Sequence, residues 1–290
     1  MAWVQISVDV SGDQVDEVSE AFSTIGALSV TVLDAGDEPL LEPAPGETPL
    51  WSNTRIIALF DAAQDVVELK QQLQSVLDAP LPDFLSEPLE DRDWSNTWRD
   101  TFGAMQFGER LWVCPVGESP SGSDAIVVHM DPGMAFGTGT HATTAMCLRW
   151  LDAHSPLNQS VIDYGCGSGI LAIAAHKLGA DNVVAVDIDP QALQATQENA
   201  RRNDCDIEVL HPEALGKRSA DLVVANILAN PLIELAEGMA RRVHTGGRLI
   251  LTGILAEQAE AVMAAYEDCF DFAAPMCREE WVLLEGLKQQ

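Results

Sequence analysis

Residues 161–189 read VIDYGCGSGILAIAAHKLGADNVVAVDID, and this segment decides the fold of the chain. A short apolar run ends at Asp163, and three glycines then occupy alternate positions: Gly165, Gly167 and Gly169. A stretch rich in Ala, Leu and Ile follows, typical of a buried helix, here beginning near Ser168. The β-branched run VVAVD then ends at Asp187. The segment predicts a strand, a glycine turn, a helix and a second strand with an acid at its end.

The residue types at this turn suit a nucleoside ligand. Glycines permit a turn that side chains would block, and they let a ligand lie against bare peptide groups. The helix that follows presents free N–H groups and a partly positive end, which suits a phosphate or a carboxylate. Asp187 lies 22 residues after Gly165, where its carboxylate can accept hydrogen bonds from both ribose hydroxyls. The segment therefore predicts a site for a nucleoside-containing cofactor.

Two cofactors fit the segment. The run from Gly167 to Ala172 satisfies the dinucleotide pattern G-x-G-x-x-G/A, and Asp187 lies 20 residues after Gly167, as expected for an acid on the ribose of NAD. The form D-x-G-x-G-x-G, with Asp163 two residues before the first glycine, instead resembles the first motif of S-adenosylmethionine-dependent methyltransferases. We favour S-adenosylmethionine and keep NAD as the alternative. A glycine turn without any ligand would give the same pattern.

Length and composition indicate a globular protein of two domains. The chain has 290 residues, of which 47% are hydrophobic. The sequence has no apolar run of about 18 residues and no basic N-terminal segment, so we expect neither a membrane span nor a secretion signal, and a cytoplasmic location. The six cysteines form no C-x-x-C pair, which indicates reduced thiols and no metal site.

The formal charge of −29 is the strongest compositional signal. Residues 1–90 hold 17 acidic residues against Arg55 and Lys70, so they are about twice as acidic per residue as the rest. A nucleic-acid-binding surface needs the opposite charge, so no direct RNA or DNA ligand is expected. A basic polypeptide would be attracted to this field. Solubility or adaptation to a salty cytoplasm would produce the same excess of acids.

Residues 1–90 predict a small binding domain. Alternating and β-branched runs predict four strands, over 2–10, 28–33, 54–60 and 84–89. Apolar residues at helical spacing predict two helices, one from the N-cap Ser11 to about Ile25 and one over 64–77. The order βαββαβ is that of a ferredoxin-like fold. This part of the chain has no catalytic constellation, so binding is its expected role.

Residues 91–105 predict a helix that links the two domains. The sequence DRDWSNTWRDTFGAM places Trp94, Trp98 and Met105 on one helical face. Aromatic residues at this spacing usually pack in a core, here at the joint between the domains, and contact with a substrate is the alternative.

The segment DPGMAFGTGTHATT, residues 131–144, follows two predicted strands over 111–116 and 125–130. Its glycines and threonines, together with Phe136, are typical of a loop that closes over a ligand. His141 is expected to cap or support this loop, and a role as a base is the alternative.

Residues 106–290 predict a doubly wound α/β domain. After the cofactor segment, helices are expected over 191–203, 232–243 and 256–269, and strands over 207–210, 220–225, 248–252, 270–275 and 280–286. Strands that alternate with helices require a parallel sheet, and a final antiparallel hairpin completes a seven-stranded pattern. Asn226 follows directly after one of these strands, at the edge where ligands bind in open α/β sheets.

Five segments of this chain resemble the bacterial methyltransferases of the PrmA family, which modify protein eleven of the large ribosomal subunit. They are DPGMAFGTGTHATT (131–144), VIDYGCGSGILAIAAHKLGA (161–180), VVAVDIDPQA (183–192), DLVVANILANPL (221–232) and GGRLILTGIL (246–255). The likeness spans roughly 91–285, whereas the first 90 residues agree in layout more than in sequence. It implies a class I methyltransferase domain, which is Rossmann-like.

The resemblance also implies a reaction. Enzymes of this family transfer methyl groups from S-adenosylmethionine to the N-terminal amine and lysine side chains of one basic ribosomal protein. Four residues match the family's cofactor-binding positions: Thr144, Gly165, Asp187 and Asn226. Two more line the same pocket: Phe136 and Gly167. We hypothesise that Asn226 also holds the acceptor amine near the methyl group, which makes it the candidate catalytic residue. Glu213 is a weaker candidate for contact with the adenine.

Two other functions are weighed against this one. An NAD-dependent oxidoreductase would need a partner for hydride transfer that the sequence lacks, and it would leave residues 131–144 and Asn226 unexplained. A cofactor-binding module without catalysis is disfavoured because the glycine turn, the ribose acid and Asn226 are all present. We expect a monomer without a membrane partner.

Overall fold

The computed structural model describes residues 3–36, 50–77, 84–89, 103–120, 125–130 and 141–289. The chain divides into two compact units, Met1–Trp94 and Ser95–Gln290. Two predicted features lie outside the described residues: the linking helix as far as residue 102, and Phe136 with the rest of residues 131–140.

The N-terminal unit is an antiparallel sheet of four strands with two helices. Its strands are β1 (Trp3–Ser11), β2 (Ser29–Asp34), β3 (Asn53–Asp61) and β4 (Phe84–Leu89), and its helices are α1 (Val15–Thr24) and α2 (Val66–Val76). The strands lie in the order β2-β3-β1-β4. All the strands and helices predicted for this part of the chain are present, in the predicted order.

One face of this sheet packs against both helices. Alternation along β1 buries four valine and isoleucine side chains: Val4, Ile6, Val8 and Val10. They form a core with Phe22 of α1 and Leu73 of α2, both fully buried. Because successive side chains point to opposite faces of a strand, the other face carries residues such as Ile57 and Leu85, which are half-buried and exposed respectively.

The C-terminal unit alternates strands and helices. Its strands are β5 (Met105–Phe107), β6 (Leu111–Cys114), β7 (Ile126–His129), β8 (Ser160–Tyr164), β9 (Asn182–Val186), β10 (Glu208–Leu210), β11 (Ala220–Asn226), β12 (Val243–Leu255), β13 (Phe270–Phe272), β14 (Met276–Arg278) and β15 (Trp281–Lys288). Its helices are α3 (Ala142–Ala153), α4 (Ile170–Lys177), α5 (Pro190–Arg202), α6 (Ala229–Glu234), α7 (Ala236–Ala240) and α8 (Ala259–Tyr266). No helix among the described residues is both long enough and apolar enough to cross a membrane.

A mixed sheet organises this unit. The order is β10-β9-β8-β11-β12-β15-β13, and the first five strands are parallel, whereas β15 runs antiparallel to both β12 and β13. The short strand β14 also pairs with β15, so the sheet has eight strands instead of the predicted seven. Helices α3 and α4 cover one face, and α6, α7 and α8 cover the other. Strands β5, β6 and β7 form a separate small sheet.

The predicted linking helix is wrong at its C-terminal end. Met105 lies in β5 and pairs with β6 through a tight turn at Gly108, where φ is +85°. The carboxylate of Asp152 accepts the N–H of Glu109 at 2.6 Å and so fixes this turn. Alternation in the strand buries Phe107, just beyond the end of the predicted helix.

Several predicted helices are shorter or broken. The helix expected over 232–243 is two short helices, α6 and α7, which meet at Leu235. The helix expected over 256–269 begins as a 3-10 turn over 256–258 before α8. Likewise, a 3-10 turn over 12–14 precedes α1, and the hydroxyl of Ser11 donates to Gln14 Oε1 at 2.8 Å. Tighter i,i+3 hydrogen bonding at helix ends is common and is not visible in apolar spacing.

Candidate functional site

The glycine turn joins β8 to α4. Gly165, Gly167 and Gly169 have φ angles of 79°, 53° and 79°, a region that side chains make unfavourable. A Cβ atom at Gly165 would lie 2.3 Å from Ile227 Cγ2, and one at Gly169 would lie 2.8 Å from Thr196 Cγ2. Glycine is therefore required by the backbone conformation and, at these two positions, also by the close neighbours.

The end of β9 holds the turn in place. The N–H groups of Gly165 and Cys166 both donate to the carbonyl oxygen of Val186, at 2.7 and 3.0 Å. The N–H of Gly167 donates to Asp187 Oδ2 at 2.9 Å. Asp187, the acid predicted to bind the ribose, is thus hydrogen-bonded to the predicted cofactor turn, because parallel strands β8 and β9 end at the same edge of the sheet.

Asp187 lies half-buried at this edge with its carboxylate fixed. Oδ1 accepts the N–H of Asp189 at 3.0 Å, while Oδ2 accepts from the glycine turn. The next side chain, Ile188, is 74% exposed, although it is large and apolar. A nucleoside could bind here, with its ribose on the carboxylate and its base against the exposed apolar side chain.

Two buried polar residues of α5 support the same turn, and sequence reasoning missed both. Thr196 Oγ1 donates to the carbonyl oxygen of Gly167 at 3.0 Å, and Asn199 Nδ2 donates to that of Ser168 at 2.8 Å. Their three-residue spacing on one helical face was the available signal, since polar residues facing a core need partners.

Asn226 and Thr144 meet at the end of β11. Asn226 Nδ2 donates to Thr144 Oγ1 at 3.2 Å, although the two residues are 82 positions apart in the chain. Thr144 is buried in the first turn of α3, and Asn226 is half-buried. Strand β11 pairs with β8, with Ala225 opposite Tyr164, so this pair of side chains lies at the same sheet edge as the glycine turn.

Comparison with known proteins agrees with this geometry. The sequence model of a family described as "Ribosomal protein L11 methyltransferase (PrmA)" matches residues 2–289. The chain belongs to this family. Curated relatives of the same name include those of Methylococcus capsulatus, 51% identical over 99% of both chains, and Nitrosococcus oceani, 50% identical over 99% of both. The crystal structure of a ribosomal protein L11 methylase from Lactobacillus delbrueckii subsp. bulgaricus has a TM-score of 0.60 and 32% identity, and covers 65% of this chain and 100% of its own.

The resemblance stated from the five sequence segments is thereby confirmed. The C-terminal unit has the α/β methyltransferase fold, and the protein is a methyltransferase. Five predicted site residues lie at one edge of its sheet: Thr144, Gly165, Gly167, Asp187 and Asn226. Glu213 is exposed on the 3-10 turn that follows β10, and its N–H lies 3.4 Å from His211 Nδ1. The sixth predicted residue, Phe136, lies outside the described residues.

Asp163 is the most deeply buried acid of the methyltransferase site. Its side chain is 1% exposed at the end of β8, and Oδ2 accepts the N–H of Ala172 in the first turn of α4 at 3.0 Å. Burial raises the pKa of this carboxyl to about 7, and the nearby charge of Asp187 acts in the same direction. Sequence reasoning used Asp163 only as part of the motif.

The thiol of Cys166 is not an activated nucleophile. Burial raises its pKa well above the ordinary value, and the charge of Asp163 adds to the effect. Thr196 Oγ1 lies 3.3 Å from the sulfur. The thiol stays protonated at neutral pH, in agreement with the interpretation of Cys166 as a small residue that packs beneath the turn.

His141 caps the helix that carries Thr144. Its Nδ1 lies 2.7 Å from Thr143 Oγ1 and 3.4 Å from the Thr143 N–H. The imidazole ring contacts the ring of Trp281 edge-on, with centroids 5.0 Å apart. These contacts give His141 a structural role, as the sequence predicts, but at the start of the helix.

Proposed function

We propose that this methyltransferase transfers methyl groups from S-adenosylmethionine to the N-terminal amine and lysine side chains of ribosomal protein L11 in the cytoplasm. The substrate is inferred from the relatives, which are described as ribosomal protein L11 methyltransferases. The observation that carries the proposal is the hydrogen bond between Asn226 and Thr144, beside the glycine turn. An acceptor-holding amide next to a nucleoside-binding turn is what a methyl transfer to an amine requires.

The cofactor would lie across the carboxyl edge of β8, β9 and β11. Gly165 and Gly167 leave bare backbone for its methionyl portion, and the Asp187 carboxylate suits the two ribose hydroxyls. Ile188 offers an apolar surface to the adenine. Thr144 and Asn226 would close the other side. Phe136, from the predicted closing loop, would line the same pocket.

When bound, S-adenosylmethionine supplies a methyl group on a sulfonium, which moves in line to a neutral amine. The enzyme's residues then have to align the acceptor and exclude water. A lysine has a reference pKa of about 10.4 and must lose a proton before it reacts. Entry into a weakly polar site lowers that pKa, because desolvation disfavours the charged form.

Asn226 is suited to hold the amine. Its Nδ2 is engaged by Thr144, which fixes the rotation of the amide group. No hydrogen bond to Oδ1 is present among the described residues, so this oxygen is available to accept from an incoming N–H. Because Thr144 is buried, the amide would be preorganised for the acceptor before it arrives.

The N-terminal unit is proposed as a ferredoxin-like domain, residues 1–90, that recognises the substrate. The remainder of the predicted linking helix, before Gly103, would join it to the catalytic domain, predicted over residues 106–290. The sheet face of the N-terminal unit that is not covered by its helices carries the half-buried Ile57 and the exposed Leu85. It also carries the ion pair of Arg55 and Asp9, whose Nε and Oδ1 lie 2.6 Å apart. Apolar side chains on the part of the chain with the larger excess of acids suit a basic protein partner. The enzyme would act as a monomer.

Mass spectrometry of ribosomal protein L11, after incubation with the enzyme and S-adenosylmethionine, tests the function directly. Methyl groups on the N-terminal amine and on lysines are expected. Calorimetry with S-adenosylmethionine and with NAD separates the methyltransferase from the oxidoreductase, since only the first should bind. An unmodified L11 in the presence of tightly bound cofactor would show that the substrate is a different one.

A further inference from the structure

The carboxyl group of Asp163 makes one hydrogen bond where it has room for several. It is 1% exposed, and Oδ2 is bonded to the N–H of Ala172 at 3.0 Å. Among the described residues Oδ1 has no hydrogen-bond partner, although it is buried. A buried carboxylate oxygen without a partner is costly, so the hydrogen bond to α4 accounts for only one of the two oxygens.

The groups that face this carboxyl contain no cation within the described part of the chain. Helix α3 contributes Cys147, the glycine turn contributes Cys166, and the end of β9 contributes Asp187. Helix α4 provides only a backbone N–H, and the flanking strands β9 and β11 provide Ala185 and Val224. The described residues around this carboxyl are therefore neutral or negative.

The same elements carry the candidate cofactor contacts. Thr144 lies one helical turn before Cys147 on α3, Cys166 is inside the glycine turn, and Asp187 is the candidate ribose acid. A bound cofactor would thus bring the nearest positive charge to Asp163. The methionyl portion of S-adenosylmethionine has two such charges, a sulfonium and an α-ammonium.

We propose that Asp163 is a proton-linked counter-ion for the cationic methionyl portion of the cofactor. Below the pKa of the empty enzyme the carboxyl group is protonated, and it releases its proton to solvent when the cofactor's positive charge binds nearby. This inference rests on the proposed function. The raised pKa of about 7 in the ligand-free protein agrees with it, because a nearby cation favours the ionised form. By linkage, cofactor affinity should rise with pH up to about the pKa of the empty enzyme.

Proton release on binding is the direct measurement. Calorimetric titrations of the full-length enzyme at about pH 6, in two buffers of different ionisation enthalpy, give the number of protons exchanged. S-adenosylmethionine should release up to about one proton from the wild type and none from Asp163→Asn. An exposed carboxylate one strand away supplies the matched control, Asp181→Asn, which should behave as the wild type.

Two further ligands identify the charge that is sensed. S-adenosylhomocysteine keeps the ammonium but has lost the sulfonium, and 5′-methylthioadenosine has neither. If both S-adenosyl compounds cause proton release, the ammonium is the charge that Asp163 senses. If only S-adenosylmethionine causes proton release, the sulfonium is that charge. Equal release with 5′-methylthioadenosine, or from Asp163→Asn, would overturn the proposal.

The proposal can also be tested without a variant. This second test decides the matter if circular dichroism shows that Asp163→Asn does not fold. The affinity of the wild type for S-adenosylmethionine, divided by its affinity for 5′-methylthioadenosine, should rise up to about tenfold per pH unit between about pH 5 and about pH 7. A constant ratio would contradict the proposal. A wild type that binds no S-adenosylmethionine at all would instead refute the proposed function.

Discussion

The two edges of the large sheet shift the pKa of their carboxyl groups in opposite directions. At the amino edge, Asp221 Oδ2 accepts from the N–H and the hydroxyl of Ser160 at 2.9 and 2.7 Å, and Oδ1 lies 3.0 Å from His244 Nδ1. These hydrogen bonds, that of His244 first, lower the pKa of Asp221 to about 2. At the carboxyl edge, Asp163 has one hydrogen bond, and burial raises its pKa to about 7.

This difference in hydrogen bonding and pKa distinguishes residues that stabilise the fold from residues that are available to a ligand. The amino edge joins the starts of β8, β11 and β12, and both oxygens of its carboxylate have partners. The carboxyl edge leaves the oxygen of Asp163 and the amide oxygen of Asn226 without partners among the described residues. Perturbed acids at such an edge are a sign of function, whereas satisfied ones indicate structure.

Ser160, Asp221 and His244 also illustrate why residue types alone do not make a site. A catalytic triad needs a histidine that takes the proton of the serine hydroxyl. Here the carboxylate lies between the other two, and the Ser160 hydroxyl donates to Asp221. The serine therefore has no base in this group, and the arrangement joins strands.

Asn226→Ala tests the carboxyl edge with the largest expected effect. Loss of the preorganised amide should lower kcat by about 10²–10³-fold, as for other positioned polar groups, while S-adenosylmethionine still binds. Single-turnover methylation of L11 and calorimetry measure the two quantities. Asn230→Ala, at an exposed position of α6, is the matched control and should keep full activity. Full activity in Asn226→Ala would remove this side chain from the mechanism.

Gly165→Ala tests whether the turn conformation is essential. The φ angle of +79° and the 2.3 Å approach to Ile227 should cost about 1–3 kcal/mol of unfolding free energy and weaken cofactor binding. Urea unfolding and calorimetry check both effects. Gly238→Ala in α7 has nothing within 4 Å of the added Cβ, so it should be neutral or slightly stabilising. Equal behaviour of the two variants would mean that the turn tolerates a side chain.

Much of this edge was predictable from the sequence, because its chemistry is local. The glycines and Asp187 belong to one short segment, and Asn226 follows a readable strand. The support from Thr196 and Asn199 was not predictable, since their partners are backbone carbonyl groups about 30 residues away. The pKa of Asp163 was not predictable either, because it depends on burial by α3 and α4.

Two errors in the fold share a cause with these omissions. Met105 lies in a strand because β6 and the carboxylate of Asp152 stabilise the hairpin at Gly108, and neither is visible in local helical spacing. The break between α6 and α7 at Leu235 is likewise not visible in local spacing, because apolar residues run through it at helical spacing.

Asp163→Asn should change the pH dependence of the ligand-free enzyme's stability. A carboxyl group whose pKa is raised to about 7 from an unfolded value of about 3.9 stabilises the fold at low pH, and this contribution is lost as pH rises through about 7. The wild type should therefore lose stability relative to the variant as pH rises from about 5 to about 8, by about 1–3 kcal/mol. Urea midpoints at the two pH values measure this. A wild type that gains stability relative to the variant over this range would contradict the raised pKa.

Asp221→Asn should show the opposite sign with a smaller magnitude. A carboxyl group whose pKa is lowered from about 3.9 to about 2 stabilises the fold above about pH 4, and this contribution is lost as pH falls through about 2. The side chain is 44% exposed, and screening by solvent reduces the expected loss to about 0.5–1 kcal/mol at neutral pH. The difference from the wild type should fall to about half by about pH 3, measured by urea unfolding. Affinity for S-adenosylmethionine should not change, because Asp221 lies at the edge away from the cofactor turn; a matching loss of affinity would show that the two edges are coupled.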